Sequence, residues 1–282
     1  MTCEVIGALH GPHYDCSMNT TARPFGDHLR HWRQHRRLSQ LDLAHEAEIS
    51  TRHLSFVETG RSVPSREMVL RLADRLDVPL RERNALLVSA GYAPMYRERS
   101  LEDPALAPAR KAVDAILRSH EPYPALAVDR HWNLVAANRM LPHLMQGAHE
   151  SLLQAPVNVL RLSLDPRGIA PKIANLVQWR GHIFERLRHQ IQITGDSALT
   201  RLLDELRALP VPEGCDERVE GEMLGVLMPF RFRTPQGTLS FISTTTIFGT
   251  PVDVTLQELA LETFFPADEA TAQALRRLAA AM

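Results

Sequence analysis

The sequence predicts two domains, an all-α domain followed by an α+β domain with an antiparallel sheet. Apolar residues recur at helical spacing between about 24 and 92, prolines cluster in 93–108, and strand-like runs rich in Thr, Ile and Phe come late in the chain. The 282 residues are enough for one or two hydrophobic cores. We therefore divide the chain into a tail (1–22), a helical domain (23–92), a linker (93–108) and an α+β domain (109–282).

The tail lacks hydrophobic periodicity and is predicted to be disordered. Cys3, His10, His13 and Cys16 lie there, but their spacing matches no standard metal site, so no metal is predicted. Together with Cys215 these few, unevenly spaced cysteines indicate reduced thiols in a cytoplasmic protein. The sequence shows neither a secretory signal pattern nor an apolar run approaching about 18 residues, so no membrane association is expected.

The helical domain is predicted to contain five helices, two of them joined by a tight turn. Helix one should run from about 25 to 37, and the last two from 65 to 76 and from 80 to 90. Ser39 and Asp42 have the spacing of a capping box before the second helix, Ser50 caps the third, and Gly60 ends it. The buried face of the helix pair is expected to include Leu41, Ala44, Ala47, Ile49, Leu54 and Val57.

The helix pair resembles the helix-turn-helix regulators of the XRE, or lambda-repressor-like, class. The matching residues are Ser39, Gln40, Leu43, Ala44, Ile49, Ser50, Leu54, Glu58, Gly60, Pro64, Leu70, Leu72, Ala73 and Leu76. Glu48 departs from the pattern, because that turn position is commonly glycine and glutamate adopts left-handed backbone only at some cost. The resemblance also implies a structural salt bridge between Arg33 and Glu58.

The resemblance implies that the third helix reads the major groove of double-stranded DNA. The side chains expected to contact bases are Thr51, Arg52, Ser55 and Phe56, and those expected to contact phosphates are Gln40, Arg61 and Arg66. Residues 23–99 contain 14 arginines and 10 acidic residues, a net charge of about +4, whereas the rest of the chain has a net charge of about −5. A basic domain attached to an acidic one suits DNA binding by the first domain, and proteins of this kind read paired half-sites as homodimers.

The second domain is predicted to alternate between strands and helices. A β-hairpin is expected at 125–129 and 134–138, helices at 139–147, 171–190 and 197–208, strands at 225–233, 238–248 and 256–264, and a closing helix at 268–281. Gln236 and Gly237 suit a turn between two of these strands. The order favours an α+β domain with an antiparallel sheet, and the opening hairpin resembles that of PAS sensor domains.

Longer segments resemble the MmyB-like family of transcription regulators. They are residues 50–62, 79–84, 90–94, 129–133 and 262–268. The resemblance implies an XRE-type DNA-binding domain and a PAS-like domain that can hold a fatty-acid-like molecule. The predicted function is therefore a DNA-binding regulator that senses a small hydrophobic effector. The alternative is a regulator whose second domain has a filled core and serves as a dimerisation or protein-docking platform.

Candidate effector-binding residues come from the aromatic and cationic side chains of the second domain. The aromatic candidates are Trp179, Phe184, Phe230, Phe241 and Phe248, and those able to meet a carboxylate are Arg180, His182 and Arg231. Each aromatic side chain also suits an ordinary core position, and Trp132 in the hairpin turn is expected to serve in packing. No catalytic constellation is found: His45 and Glu46 begin like a zincin motif, but Ile49 stands where the second histidine is required. We expect neither enzymatic activity nor a cofactor beyond a bound apolar effector.

Overall fold

The computed structural model describes residues 23–211, 228–249 and 253–281. The described part of the N-terminal domain contains five helices. They are α1 (Phe25–His35), α2 (Gln40–Glu46), α3 (Thr51–Glu58), α4 (Arg66–Arg75) and α5 (Leu80–Ser89). The tail predicted for residues 1–22 and the thiol of Cys215 lie outside the described residues.

Short polar side chains set the beginnings of α2 and α3, as predicted. Ser39 and Asp42 form a reciprocal capping box at α2, and the Ser50 hydroxyl accepts a hydrogen bond of 3.1 Å from the main-chain N–H of His53 at α3. Such caps stabilise a helix by about 0.5–2 kcal/mol each. The turn between α2 and α3 places Glu48 at φ 56°, the left-handed conformation that the sequence predicted at some cost.

The core of the helical domain receives side chains from all five helices. Leu29, Leu43, Leu54 and Val57 are almost fully buried there. A Cβ on Gly26 would lie 2.2 Å from the main-chain oxygen of Glu58, so only glycine allows α1 to approach the end of α3 this closely.

One expected core position in this domain is wrong. Leu41 is 65% exposed, and Leu43 occupies the buried face of α2 with Ala44 and Ala47. Residues 43, 44 and 47 share one side of an α-helix, whereas position 41 points about a third of a turn away.

The C-terminal domain is built on an antiparallel sheet with strand order β2-β1-β5-β4-β3 among the described residues. The strands are β1 (Ala125–Val128), β2 (Leu134–Ala137), β3 (Pro229–Thr234), β4 (Gly237–Ile247) and β5 (Ala260–Pro266). The hairpin β1–β2 and the α+β class are confirmed. Pro235 and Gln236 form the tight connection from β3 to β4, one residue earlier than the predicted pair Gln236 and Gly237, and Gly237, at φ 127°, is the first residue of β4.

Helices cover both faces of the sheet. They are α6 (Ala107–Ser119), α7 (Leu141–Met145), α8 (Glu150–Leu153), α9 (Val159–Leu164), α10 (Leu176–Thr194), α11 (Ser197–Ala208), α12 (Val254–Gln257) and α13 (Glu269–Ala280). The largest core lies between the sheet and α7, α9, α10 and α11, while Val113 and Leu117 of α6 pack on the other face. Among the described residues, no helix is long and apolar enough to cross a membrane.

Helix α6 was not predicted from the sequence, and the region of α12 was predicted to be part of a strand. Pro108 was taken as a linker signal, but proline is also favoured in the first turn of a helix, and here it lies in the first turn of α6. The strand expected at 256–264 begins at Ala260 because Asp253 caps a short helix at 254–257. The strand expected at 225–233 begins at Pro229, and its earlier residues lie outside the described part of the chain.

Among the described residues, polar contacts join the two domains at both α1 and α5. Near the end of α1, Arg36 donates hydrogen bonds of 3.1 Å to the main-chain oxygens of Gln192 and Ile193 in α10. At the start of α5, Arg81 pairs with Glu258 at 2.8 Å. The connecting residues 93–108 also contact the C-terminal domain, since Arg99 pairs with buried Asp253 at 2.9 Å. The domain arrangement is therefore fixed by polar contacts as well as by the covalent connection.

Candidate functional site

The first candidate surface is the outward side of α3. Leu54 and Val57 hold the helix against the core, which turns Thr51, Arg52, Ser55 and Phe56 to the opposite side, where Arg52 is exposed and the other three are half-buried. These are the four residues that the sequence assigned to base contact.

An arginine–phenylalanine stack organises this surface. The guanidinium carbon of Arg52 lies 5.4 Å from the ring centre of Phe56, and that of Arg61 lies 6.0 Å from the same ring. Cation–π contacts of this kind restrict both arginines without consuming their hydrogen-bond donors. Arg52 thus keeps the fork that can pair with a guanine, and Arg61, in the loop after α3, keeps donors for a phosphate.

The remaining predicted phosphate contacts lie at helix beginnings. Gln40 is the first residue of α2, and exposed Arg66 is the first residue of α4. Main-chain N–H groups at the start of a helix favour anions, so both positions suit a phosphate.

A buried ion pair holds α1, α2 and α3 together behind this surface. Arg33 donates to both carboxylate oxygens of Glu58 at 2.6 and 3.0 Å, which confirms the expected salt bridge. Gln40 donates to the same carboxylate at 2.8 Å. Burial by itself would raise the pKa of Glu58, but the hydrogen bonds from Arg33 and Gln40 and the charges of Arg33 and Arg30 outweigh it, so the pKa lies below its ordinary value. Gln40 is thereby fixed in place at the start of α2.

The second candidate site is an apolar cavity of about 90 Å³ between the sheet and its covering helices. A water molecule needs only about 10–15 Å³ on this scale, so the cavity has room for several waters or a short apolar chain. It is lined by Leu126, Trp132, Leu141, Leu144, Met145, Val159, Leu160, Leu162, Ser163, Ile169, Trp179, Ile183, Arg186, Phe230, Glu262 and Phe264.

Two of the aromatic residues predicted to bind an effector lie in the cavity wall. The rings of Trp179 and Phe230 are 4.8 Å apart there. Phe241 is fully buried behind Phe230, and Phe184 packs beside the core without lining the cavity. Phe248 packs with the cluster around Leu259 and Leu261, on the other face of the sheet.

None of the three cationic residues expected to meet a carboxylate lines this cavity. Arg180 is buried and donates at 3.0 Å to the main-chain oxygen of Leu209, just after α11, and burial lowers its pKa. His182 stacks on Trp179, and burial lowers its pKa as well. Arg231 alternates along β3 with Phe230 and Phe232, which face the core, so its side chain leaves from the opposite face.

The two charged residues of the cavity, Arg186 and Glu262, were not predicted from the sequence. Their side chains form a bidentate pair, with nitrogen–oxygen distances of 2.6 and 3.2 Å. A signal for Arg186 exists, because it follows Trp179 and Ile183 at the helical spacing of one face of α10. Glu262 lies two residues before Phe264 on β5, so both side chains leave the same face of the sheet.

Trp132 combines the packing role that the sequence predicted with a place in the cavity wall. It is 8% exposed, and its ring nitrogen donates at 2.9 Å to the side-chain oxygen of Gln190. Its φ of 66° is unusual for a bulky residue and occurs in the tight turn between β1 and β2. The guanidinium of Arg186 lies 4.7 Å from its ring centre.

Within the described ranges, no group of three or more His, Cys, Asp or Glu side chains is arranged to hold a metal ion. The N-terminal residues considered as metal ligands, Cys3, His10, His13 and Cys16, lie outside those ranges.

Two family models match the chain. One, described as "MmyB-like transcription regulator ligand binding domain", matches residues 109–278, and the other, described as "Helix-turn-helix domain", matches residues 24–86. No curated protein matches the chain. The first match contains the cavity, and the second contains α3 and the stack around Phe56.

Proposed function

Because the chain belongs to the MmyB-like transcription regulator family, we propose that a small hydrophobic, fatty-acid-like effector bound in its C-terminal domain alters its affinity for a double-stranded DNA operator. The two family matches make the chain a DNA-binding transcription regulator. The chemical class of the effector, the homodimer and the coupling between the domains are our proposals. We infer a regulatory role without catalysis, a PAS-like ligand-binding domain, and a cytoplasmic location, where the DNA target would be.

The cavity is the observation that carries the effector proposal. Sites for small molecules are mostly apolar, with a few polar groups that orient the ligand. Here the apolar wall includes Trp179, Ile183 and Phe230, and a charged pair, Arg186–Glu262, contributes polar groups. A molecule with one short apolar chain and one polar head suits this arrangement.

The alternative of a ligand-free platform would be favoured by a filled core. Packed protein interiors contain few voids larger than a water molecule. The cavity therefore supports a binding role for this domain, and a platform would have to use its outer surface.

The DNA side of the proposal assigns Thr51, Arg52, Ser55 and Phe56 to base edges. Gln40, Arg61 and Arg66 would contact phosphates on either side of the groove. Because α3 has only eight residues, one copy reads a short half-site, and a homodimer would read two half-sites.

Helix α10 connects the cavity directly to the DNA-binding domain, in addition to the connecting residues 93–108. Trp179 and Arg186 lie on the cavity, while the main-chain oxygens of Gln192 and Ile193 accept hydrogen bonds from Arg36 of the DNA-binding domain. The distance along the helix from position 179 to position 192 is roughly 20 Å. An effector that moves α10 would therefore change the position of α1 relative to the C-terminal domain. Such an effector alters DNA affinity if it binds more tightly to one arrangement of the two domains than to the other.

Native mass spectrometry of the purified full-length chain, followed by denaturing extraction, tests the effector proposal. A retained molecule with an apolar chain, near one per subunit, is the expected result. If the protein is empty and no member of a panel of acyl-chain compounds alters operator affinity in fluorescence anisotropy, the sensing role fails and the platform stands.

A further inference from the structure

The cavity contains one ion pair whose members satisfy each other. Arg186 Nη2 donates to Glu262 Oε1 at 2.6 Å and to the Thr245 hydroxyl at 2.7 Å, and Arg186 Nη1 donates to Glu262 Oε2 at 3.2 Å. The Thr245 hydroxyl donates in turn to Glu262 Oε1 at 2.7 Å. The positive charge of Arg186 is therefore already matched by a carboxylate within the protein.

The carboxylate of the pair is buried, whereas its guanidinium is partly exposed. The Glu262 side chain is 5% exposed and that of Arg186 is 25% exposed. One face of the guanidinium lies against the ring of Trp132, at 4.7 Å from its centre. A charge added next to the buried carboxylate of Glu262 would be weakly screened, so a second negative group there is unfavourable.

A ligand carboxylate is poorly accommodated beside this pair. If it bonded Arg186 while Glu262 stayed in place, two negative groups would share one cation, and one of them would be driven to bind a proton. If it displaced Glu262, a buried carboxylate would lose its partner, which is strongly unfavourable.

An uncharged oxygen of a ligand adds no second negative charge beside Arg186 and does not displace Glu262. A guanidinium carries five N–H groups, and the bonds to Glu262 and Thr245 use three of them. The remaining donors on Nε and Nη1 can bond a hydroxyl, amide or ester oxygen without disturbing Glu262.

We propose that the Arg186–Glu262 pair makes the cavity select an effector with an uncharged polar head, such as an alcohol, amide or ester, over a carboxylate of equal chain length. Glu262 is the residue that sets this preference, since it neutralises the only cationic side chain in the described cavity wall. The inference rests on the proposed function and narrows it: among fatty-acid-like molecules, the cavity would prefer the uncharged alcohols, amides and esters to the acids themselves.

Comparing octan-1-ol with octanoate on the full-length protein at pH 7.5 tests this selection. Trp132 and Trp179 line the cavity, so binding is followed by the change in tryptophan emission and checked by calorimetry. We expect the unmodified protein to bind the alcohol at least about tenfold more tightly than the carboxylate. The same comparison with methyl octanoate is expected to group the ester with the alcohol.

Glu262→Gln is the diagnostic variant, because it keeps the shape of the side chain and frees the charge of Arg186. We expect it to bind octanoate at least about tenfold more tightly than the unmodified protein does, and to bind octan-1-ol almost unchanged. Glu269→Gln is the matched control, since Glu269 pairs with Arg276 on the surface of α13 and its removal should alter neither affinity.

The outcomes separate this inference from the function on which it rests. Tighter binding of octanoate than of octan-1-ol by the unmodified protein would overturn the selection and still support an effector site. This comparison needs no variant, so it decides the matter even if Glu262→Gln fails to fold. Absence of binding by all three compounds, with an empty protein in native mass spectrometry, would overturn both.

Discussion

Arg36, just after the end of α1, donates a hydrogen bond of 3.1 Å to the main-chain oxygen of Gln192, near the end of α10. The carbonyls in the last turn of a helix lack partners within the helix and carry its negative dipole end, so a guanidinium placed there is well stabilised. The two residues are separated by 156 positions in the chain. This contact joins the DNA-binding domain to the helix that lines the cavity.

Replacing Arg36 with Gln is expected to weaken the coupling between effector and DNA. Couplings between sites commonly amount to about 5–150-fold in affinity, and we expect the ratio of operator affinities with and without effector to fall towards one. Fluorescence anisotropy with a labelled operator measures this ratio.

Arg75→Gln is the control for that experiment, since Arg75 is an exposed arginine of the same domain. Arg36 also bonds the main-chain oxygens of Leu76 and Asp77 within its own domain, so a thermal melt must accompany the binding curve. An unchanged affinity ratio in Arg36→Gln would show that the coupling does not pass through this contact.

Replacing Arg52 with Ala is expected to reduce specific DNA binding. A bidentate contact to guanine is worth about 1–3 kcal/mol of discrimination, so affinity for the operator should fall by that amount and preference should relax at one base pair. Binding to a library of operator variants measures both effects. Equal losses on operator and on random DNA would instead assign Arg52 to phosphate contact.

Replacing Glu58 with Gln is expected to destabilise the helical domain without touching the DNA surface directly. Hydrogen bonds to charged groups contribute about 1.5–3 kcal/mol, and Arg33 donates two of them to Glu58. Urea denaturation at pH 7 should therefore show a loss of about 2 kcal/mol. A loss below about 0.5 kcal/mol would mean that the pair contributes little.

The same carboxylate predicts a pH dependence of stability. The pKa of Glu58 is lower in the folded protein than in the unfolded chain, so its contribution is fully present above the unfolded value and is lost as pH falls through the folded value. Urea midpoints measured below about pH 4.5 should fall less steeply with pH in Glu58→Gln than in the unmodified protein. Parallel curves for the two proteins would contradict the assignment.

Filling the cavity is expected to abolish effector binding while the fold survives. Ile183→Phe adds a ring to the α10 wall of the cavity, and overpacking of this kind typically costs about 1–3 kcal/mol. Calorimetry should then detect no binding of octan-1-ol. Val177→Phe, at an exposed position on the same helix, is the control and should bind as the unmodified protein does. Binding retained by Ile183→Phe would place the effector elsewhere.

Local patterns were sufficient for the helical domain. The caps at Ser39 and Ser50, the left-handed turn at Glu48 and the spacing of Leu54 and Val57 each depend on neighbours within a few residues, so they are readable along the chain. The error at Leu41 arose because a short helix with several apolar residues admits more than one buried face. The linker predicted around Pro108 was wrong at its end for a similar reason, since proline suits both a linker and the first turn of a helix.

The sequence by itself determined the two domains, the helix-turn-helix and its exposed Arg52, the β1–β2 hairpin and the antiparallel α+β class. Only the tertiary structure decided which aromatic side chains line the cavity, and that Arg186 rather than Arg180 supplies its cation. Arg186 meets Glu262 across 76 residues of chain, and Arg36 meets Gln192 across 156. Periodicity shows which side of a helix or strand is buried, but the partner it meets depends on how distant elements pack together.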